Sequence, residues 1–230
     1  MIVAAIIQAR MGSSRLPGKS LMGISGRPLI EHVIERVLAV PKISTVVLAT
    51  SASKLDEALY SVCLRTDVSF FRGSEWDVLG RMRDAARFVR ADVVMRVTGD
   101  CPFFAPDVGA DVLDAFLIGG RDYVWNDTAI SGFPDGTDVE VFTRDALEAA
   151  AEKASDAADR EHVTPWIRAN RKCGLVANPE GLRLGYRKLS VDRPVDLELA
   201  RKIHEFLEPR KLTLADTMTA YDEVEARSAK

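Results

Sequence analysis

"IVAAIIQARMGSSRLPGKS", Ile2 to Ser20, joins an apolar run to a loop dense in glycine, hydroxyls and cations. The run is short and apolar at both alternating sets of positions, which reads as a strand covered on both faces. The loop nearly spells the phosphate-binding P-loop, but five residues rather than four separate Gly12 from Gly18. The helix that should begin at Lys19 and Ser20 is opposed by Gly23, Gly26 and Pro28. It is therefore not a P-loop. Arg10, Arg15 and Lys19, beside close-approach backbone at Gly12 and Gly18 and the hydroxyls of Ser13 and Ser14, still have the ingredients for holding a triphosphate. The alternative is a surface loop whose cations are simply solvated.

Outward from this loop, "STVVLAT", "DVSFF" and "ADVVMRVT" read as further strands, separated by helical patterns around 29–40, 53–66 and 75–90. This is βαβ wiring, and the near-continuous apolar strands require helices on both faces of a parallel sheet. The second half is mixed. A helix to about 118 and a strand "DYVWN" lead to a turn-rich loop "DTAISGFPDG" and a strand "TDVEVF". "DALEAAAEKA" and "DREHVTPWIRAN" read as helices, "CGLVAN" and "LRLGYRKLSV" as strands. A helix opened by Pro194 and a last one from about Thr213 finish the chain. With no linker in view, we expect one α/β domain over 1–230, with an inserted hairpin or lid.

Composition sets the class. Apolar residues make up 47% of 230, and 31 Lys plus Arg against 34 Asp plus Glu give a formal charge of -3. No global basic field draws such a chain onto nucleic acid, so any anion site is local. Three cysteines without paired metal spacing fit a reducing compartment, with cytoplasm the expectation. No apolar run is long enough to span a bilayer, and no basic region precedes the first one as in a secretory signal.

Ligands of open α/β sheets bind beyond the carboxyl ends of the strands, which singles out four loops. Besides the first, these are "TSAS" with Thr50 and Ser51, "GDCPFF" after the "VVMRVT" strand, and "DRP" after "YRKLSV". "TSAS" is also an ordinary helix entry, with Ser53 as the capping residue. Asp100 stands at a strand end before Pro102, and Asp192 repeats the arrangement before Pro194. Two rim carboxylates can share one Mg²⁺ completed by substrate phosphates, although Asp192 also reads as a cap for the helix that follows. His32, His162 and His204 lie in helical patterns with no second histidine at ligand spacing and are read as solvated or locally bonded. Cys101, with an acidic neighbour and no accompanying histidine motif, is read as packing.

The quoted loops, together with "GRPLIEHVIERV", "PDGTDVEVF", "REHVTPWI" and "LSVDRPVDLELARKI", resemble the spore-coat polysaccharide type of cytidylyltransferase and, more distantly, CMP-Kdo and CMP-sialic acid synthetases. The resemblance covers nearly the whole chain in the same motif order. It implies a Rossmann-like, three-layer nucleotidyltransferase fold with a mixed, mainly parallel sheet. It also implies Mg²⁺-dependent transfer of CMP from CTP to a small-molecule acceptor, an acidic sugar of surface polysaccharide synthesis, with release of pyrophosphate. By the same resemblance Arg10, Gly12, Ser13, Arg15 and Lys19 would bind the triphosphate, Thr50, Ser51 and Arg96 the nucleoside side, and Asp100 and Asp192 the metal. Catalysis would fall to Arg15, Lys19, Asp100 and Asp192. Asp135, Asp138 and Glu140 fall in the acceptor region, where alternation along "TDVEVF" puts Asp138 and Glu140 on one face and Val139 and Val141 in the core. The family often has a second acidic residue where this chain has Ala105, and an Asp where it has Gly80. A homodimer is expected from the family's habit and from apolar residues of "GFPDGTDVEVF" and "HVTPWI" taken as exposed. Two alternatives remain: a nucleotidyltransferase for another base or acceptor, and a non-catalytic nucleotide-binding module.

Overall fold

The computed structural model describes residues 1–178, 187–207 and 211–228. The first strand, β1 (Val3–Gln8), is followed by a minimal hairpin, β2 (Gly23–Ile24) and β3 (Arg27–Pro28), and by α1 (Leu29–Leu38). Next come β4 (Thr45–Ser51), α2 (Tyr60–Thr66), β5 (Ser69–Gly73), α3 (Val78–Phe88), β6 (Val93–Thr98) and α4 (Pro106–Leu117). The second half runs β7 (Tyr123–Trp125), α5 (Thr128–Ser131), β8 (Glu140–Thr143), α6 (Arg144–Lys153), α7 (Ala157–His162), α8 (Pro165–Asn170), β9 (Cys173–Leu175), α9 (Pro194–Phe206) and α10 (Leu214–Ser228).

The seven long-range strands form one sheet in the order β5-β4-β1-β6-β8-β7-β9. β8 pairs antiparallel with both of its neighbours, whereas the other ladders are parallel. Alternation along β1 explains the layers. Ala5 and Ile7 enter one core with α1, α4, α9 and α10, while Ala4 and Ile6 enter the other with α3 and α6. Each buried isoleucine contributes about 1.5–3 kcal/mol relative to an exposed one, so a charge at Ile6, which is fully buried, would break the centre of the sheet. The chain leaves β1 for β4 on one side and returns from β5 to β6 on the other, which places the switch point between β1 and β6. Ala105 and Gly80 have local explanations. Ala105 is fully buried ahead of Pro106. A Cβ at Gly80 would meet the Asp77 carboxylate at 2.3 Å, where that carboxylate caps α3 by accepting from Gly80 N.

Three expectations change. The helix read over 159–170 is two, α7 and α8, broken at Val163, whose φ is 72°. The strand read from Thr137 begins only at Glu140, because Asn126 takes up the preceding backbone: it donates to Thr137 O at 2.9 Å and accepts from Val139 N at 2.6 Å. Of the apolar residues expected to be exposed on a dimer face, Phe133, Val139, Val141, Phe142, Val163 and Ile167 are buried within the chain, and Trp166 is partly buried against the core that holds Phe142, Val163 and Ile167. Of the strand read over 182–191, residues 182–186 lie outside the described residues; the rest contributes a bridge between Asp135 and Lys188. No helix among the described residues is long and apolar enough to cross a membrane.

Candidate active site

The loops after β1 and β6, the approach to α9 and the end of α7 enclose a cleft of two lobes, each about 510 Å³, of a size suited to small ligands. Arg10, Ser13, Ser14 and Arg81 belong to the first lobe, Asp135, Asp138, Glu140 and Arg168 to the second. Arg15, Arg96, Thr98, Asp100, His162 and Asp192 line both, so the two lobes meet there.

At the junction Lys19 is almost fully buried, and its Nζ donates to Asp100 Oδ2 at 2.7 Å, Val191 O at 2.7 Å and Asp192 Oδ1 at 3.2 Å. An ammonium has three donors, and all three are used. Lys19 therefore does not reach out to a triphosphate in this arrangement, as the sequence reading had it; it clamps the two rim carboxylates together. Arg15 Nη2 donates to Asp192 Oδ1 at 2.8 Å. Burial pushes the Asp192 carboxyl up, but Lys19 and Lys188 outweigh it and hold it below the ordinary range. The capping alternative for Asp192 is not what the chain uses, since Asp196 Oδ2 accepts from Asp192 N and Arg193 N, both at 2.9 Å.

The first lobe is electropositive for a structural reason. Arg10 and Arg81 make no ion pair among the described residues, and Arg81, which donates to Ser74 O at 2.6 Å, is buried on α3. Burial, then the neighbouring Arg10 charge, lower the Arg81 pKa. Sequence reading missed Arg81, yet it lies on the apolar stripe of Val78, Met82 and Ala85, where a charge is out of place. Gly18, with φ 76°, closes the first loop by donating from its N to Met11 O at 2.9 Å. Gly12 adjoins Glu75, its ideal Cβ position 3.6 Å from Glu75 Oε1, and is not part of the cleft wall.

Thr50 and Ser51 do not reach the cleft. Both are fully buried, and Asp56 Oδ2 accepts from Thr50 Oγ1 at 2.7 Å and from Ser51 N at 3.0 Å. Asp56 Oδ1 accepts from Met11 N at 2.7 Å, so this knot anchors the start of the first loop instead of touching a ligand. Burial raises the Asp56 carboxyl, but the bonds from Ser51, Met11 and Thr50 prevail and hold it below its usual value.

In the second lobe Arg96 pairs with Glu140 and donates to Gln8 Oε1 at 2.9 Å. Glu140 also accepts from Tyr123 and Thr164, so it anchors the wall and has little capacity left for a ligand. Burial pushes Glu140 up; Arg96, Thr164 and Tyr123 bring it below the ordinary carboxylate value. Asp135 accepts from Ser190 Oγ at 2.8 Å, and Asp138 from Thr128 Oγ1 at 3.0 Å. Neither makes an ion pair among the described residues; burial, with Asp135 adding, raises Asp138. Cys101 is buried, and burial and Asp100 raise its thiol well above the usual value, in keeping with packing. His32 and His204 stack edge to face at 4.6 Å away from the cleft, whereas His162 lies on it.

A doubly wound sheet with a cleft at its switch point, one lobe basic and the other carboxylate-bearing, is the architecture of a nucleotide-handling α/β protein. A family model described as Cytidylyltransferase matches residues 4–223, and the chain belongs to that family. It is 32% identical over 208 residues to the spore coat polysaccharide biosynthesis protein SpsF of Bacillus subtilis, covering 87% of this chain and 85% of that one. It is 26% identical over 219 residues to a 3-deoxy-manno-octulosonate cytidylyltransferase of Geobacter metallireducens, covering 89% and 84%. Among solved structures, a cytidylyltransferase from Leptospira borgpetersenii superposes with a TM-score of 0.91 at 27% identity, over 98% of this chain and 96% of that one.

Proposed function

We propose that this protein transfers CMP from CTP to a sugar acceptor of surface polysaccharide synthesis and releases pyrophosphate. The observation that carries the reading is the cleft itself: a lobe with two unpaired guanidiniums opens onto a carboxylate-bearing lobe across Asp100 and Asp192. Arg10 and Arg81 with Ser13 and Ser14 would receive the triphosphate, and Arg15, exposed and bonded to Asp192 at the junction, would stabilise charge on the departing pyrophosphate. Asp135 and Asp138 would bind acceptor hydroxyls, while Glu140 fixes Arg96 between the lobes.

Asp100 and Asp192 fit a Mg²⁺ site, because both present an oxygen to one point now served by the Lys19 ammonium. No cluster of three or more potential metal ligands exists among the described residues. A pair of carboxylates completed by substrate phosphate is how Mg²⁺ is commonly held, and the ion would neutralise phosphate charge there. Lys19 would keep the pair assembled until the ion takes that point. The test is pyrophosphate release from CTP, UTP, ATP and GTP with Mg²⁺ and a panel of acidic sugars, beside calorimetric binding of each nucleotide. CTP should bind and turn over best; a preference for another triphosphate, or no binding of any, would count against the reading.

A further inference from the structure

We propose that His162 accepts the proton of the attacking acceptor hydroxyl, a role that rests on the cytidylyl-transfer reading. Both substrates must meet where the lobes join, and six residues stand there. Arg15 and Arg96 are permanently protonated and have no acceptor atom. Asp100 and Asp192 are engaged by Lys19 and Arg15, and the Thr98 hydroxyl is in contact with Cys101 Sγ at 3.0 Å. That leaves the imidazole, the side chain whose ordinary pKa suits proton transfer near neutrality. The charged groups that share the two lobes with it are Arg10, Arg15 and Lys19 from the first loop, Arg81 from α3, Arg96 and Asp100 from β6 and its loop, Asp127, Asp135, Asp138 and Glu140 around β8, Arg168 from α8 and Asp192 before α9, with Glu161 beside it in the chain.

A second observation concerns the backbone. Val163 has φ 72° and ψ -54°, and Thr164 N donates to His162 O at 2.8 Å. This is the rare, strained form of γ-turn, and on a β-branched residue it persists only where surrounding packing over-determines it. Here Val163 is fully buried, its N donates to Asp159 O at 3.0 Å, and Thr164 is tied to Glu140. The strain holds an exposed histidine at the mouth of both lobes while its neighbours stay fixed. In the step inferred, the acceptor oxygen forms a bond to the α-phosphorus as its proton passes to the His162 ring nitrogen. The bond from that phosphorus to the pyrophosphate oxygen breaks, and pyrophosphate leaves with the electron pair.

The experiment uses ¹³C-histidine-labelled full-length protein at fixed pH, titrated with CTP and Mg²⁺, with His162→Gln assigning the ring signal. His32 and His204 serve as internal controls away from the cleft. The His162 signal should move on CTP saturation while theirs stay. His162→Gln should bind CTP within about threefold of wild type yet lose pyrophosphate release from CTP by roughly 10²- to 10⁴-fold, measured with whichever acceptor supports turnover, water included. A stationary His162 signal at CTP saturation, or turnover within about threefold of wild type, would overturn the inference alone. Absence of CTP binding would remove the cytidylyl-transfer reading and this inference with it.

Discussion

Replacing Lys19 by Met keeps the stem and deletes the ammonium, leaving Asp100 and Asp192 facing each other with their cation gone. The Lys19 side chain is 11% exposed, against 29% for Asp100 and 17% for Asp192. At an effective dielectric of about 20 the two attractions are gross terms of roughly 5–6 kcal/mol each, much of which the desolvation of the charges cancels. Deleting one partner of a buried pair costs about 3–5 kcal/mol, and because both carboxylates retain some water we expect the low end. Near 3 kcal/mol, the melting temperature of a chain this size falls by on the order of 10 °C. The sign with pH follows from Asp192, whose folded pKa is depressed. Its contribution is present above the unfolded value near 4 and is lost as pH falls through the lower folded value. The gap between wild type and Lys19→Met should therefore be full at pH 7 and narrow as pH drops below about 4. If the metal reading holds, Mg²⁺ should raise the melting temperature of the variant more than that of wild type. Urea midpoints across this pH range decide the matter: equal stability at pH 7, or a gap that ignores pH, would refute the clamp.

Arg10→Ala and Arg81→Met should each weaken CTP binding by roughly 10- to 100-fold, one charge-assisted contact apiece; calorimetry showing unchanged affinity in both would empty the first lobe of its role. Gly136→Ala places a Cβ 2.6 Å from Ser190 N and 2.8 Å from Leu189 C at a φ of 95°. Both are backbone atoms that cannot swing aside, so a loss of at least about 2 kcal/mol is expected in urea unfolding, and a neutral result would mean the turn relaxes freely. Asp56→Asn should cost about 1–3 kcal/mol and weaken CTP binding indirectly, by releasing Met11 N. Its destabilisation should fade in acid because the Asp56 folded pKa is depressed; a pH-independent loss would point to some other cause.

The parallel half of the fold was legible because burial on both faces leaves an unmistakable apolar run, as in β1, β4 and β6. Periodicity could not reveal the break at Val163. The pattern "DREHVTPWIRAN" contains a helix entry at Pro165, but nothing in it announces a positive φ on a valine. The start of β8 was misplaced for a related reason, since Asn126 bonds backbone that alternation assigns to a strand. At the site, the position of each loop at a strand end was readable and its partners were not. Lys19 looked like a free cation because Asp100 and Asp192 are 81 and 173 residues away. Thr50 and Ser51 looked available because Asp56, which consumes them, sat inside an ordinary helical pattern.

Partnership, more than residue type, separates architecture from ligand recognition in this cleft. Lys19, Arg96 and Glu140 are satisfied by the protein itself, and their charges hold walls in place. Arg10 and Arg81 on one side, and Asp135 and Asp138 on the other, make no ion pair among the described residues. Leaving like charges buried side by side is unfavourable: burial first, and the like-charged neighbour in addition, depress Arg81 and raise Asp138. Such an arrangement is worth keeping where a ligand relieves it: an anion in the first lobe, a hydroxyl-rich or amino-bearing group in the second. A net charge of -3 conceals this segregation completely. An acceptor that carries its own carboxylate would therefore have to turn it toward Arg15 or Arg168 and away from Asp135 and Asp138, which fixes the orientation in which it can present its hydroxyl to the junction.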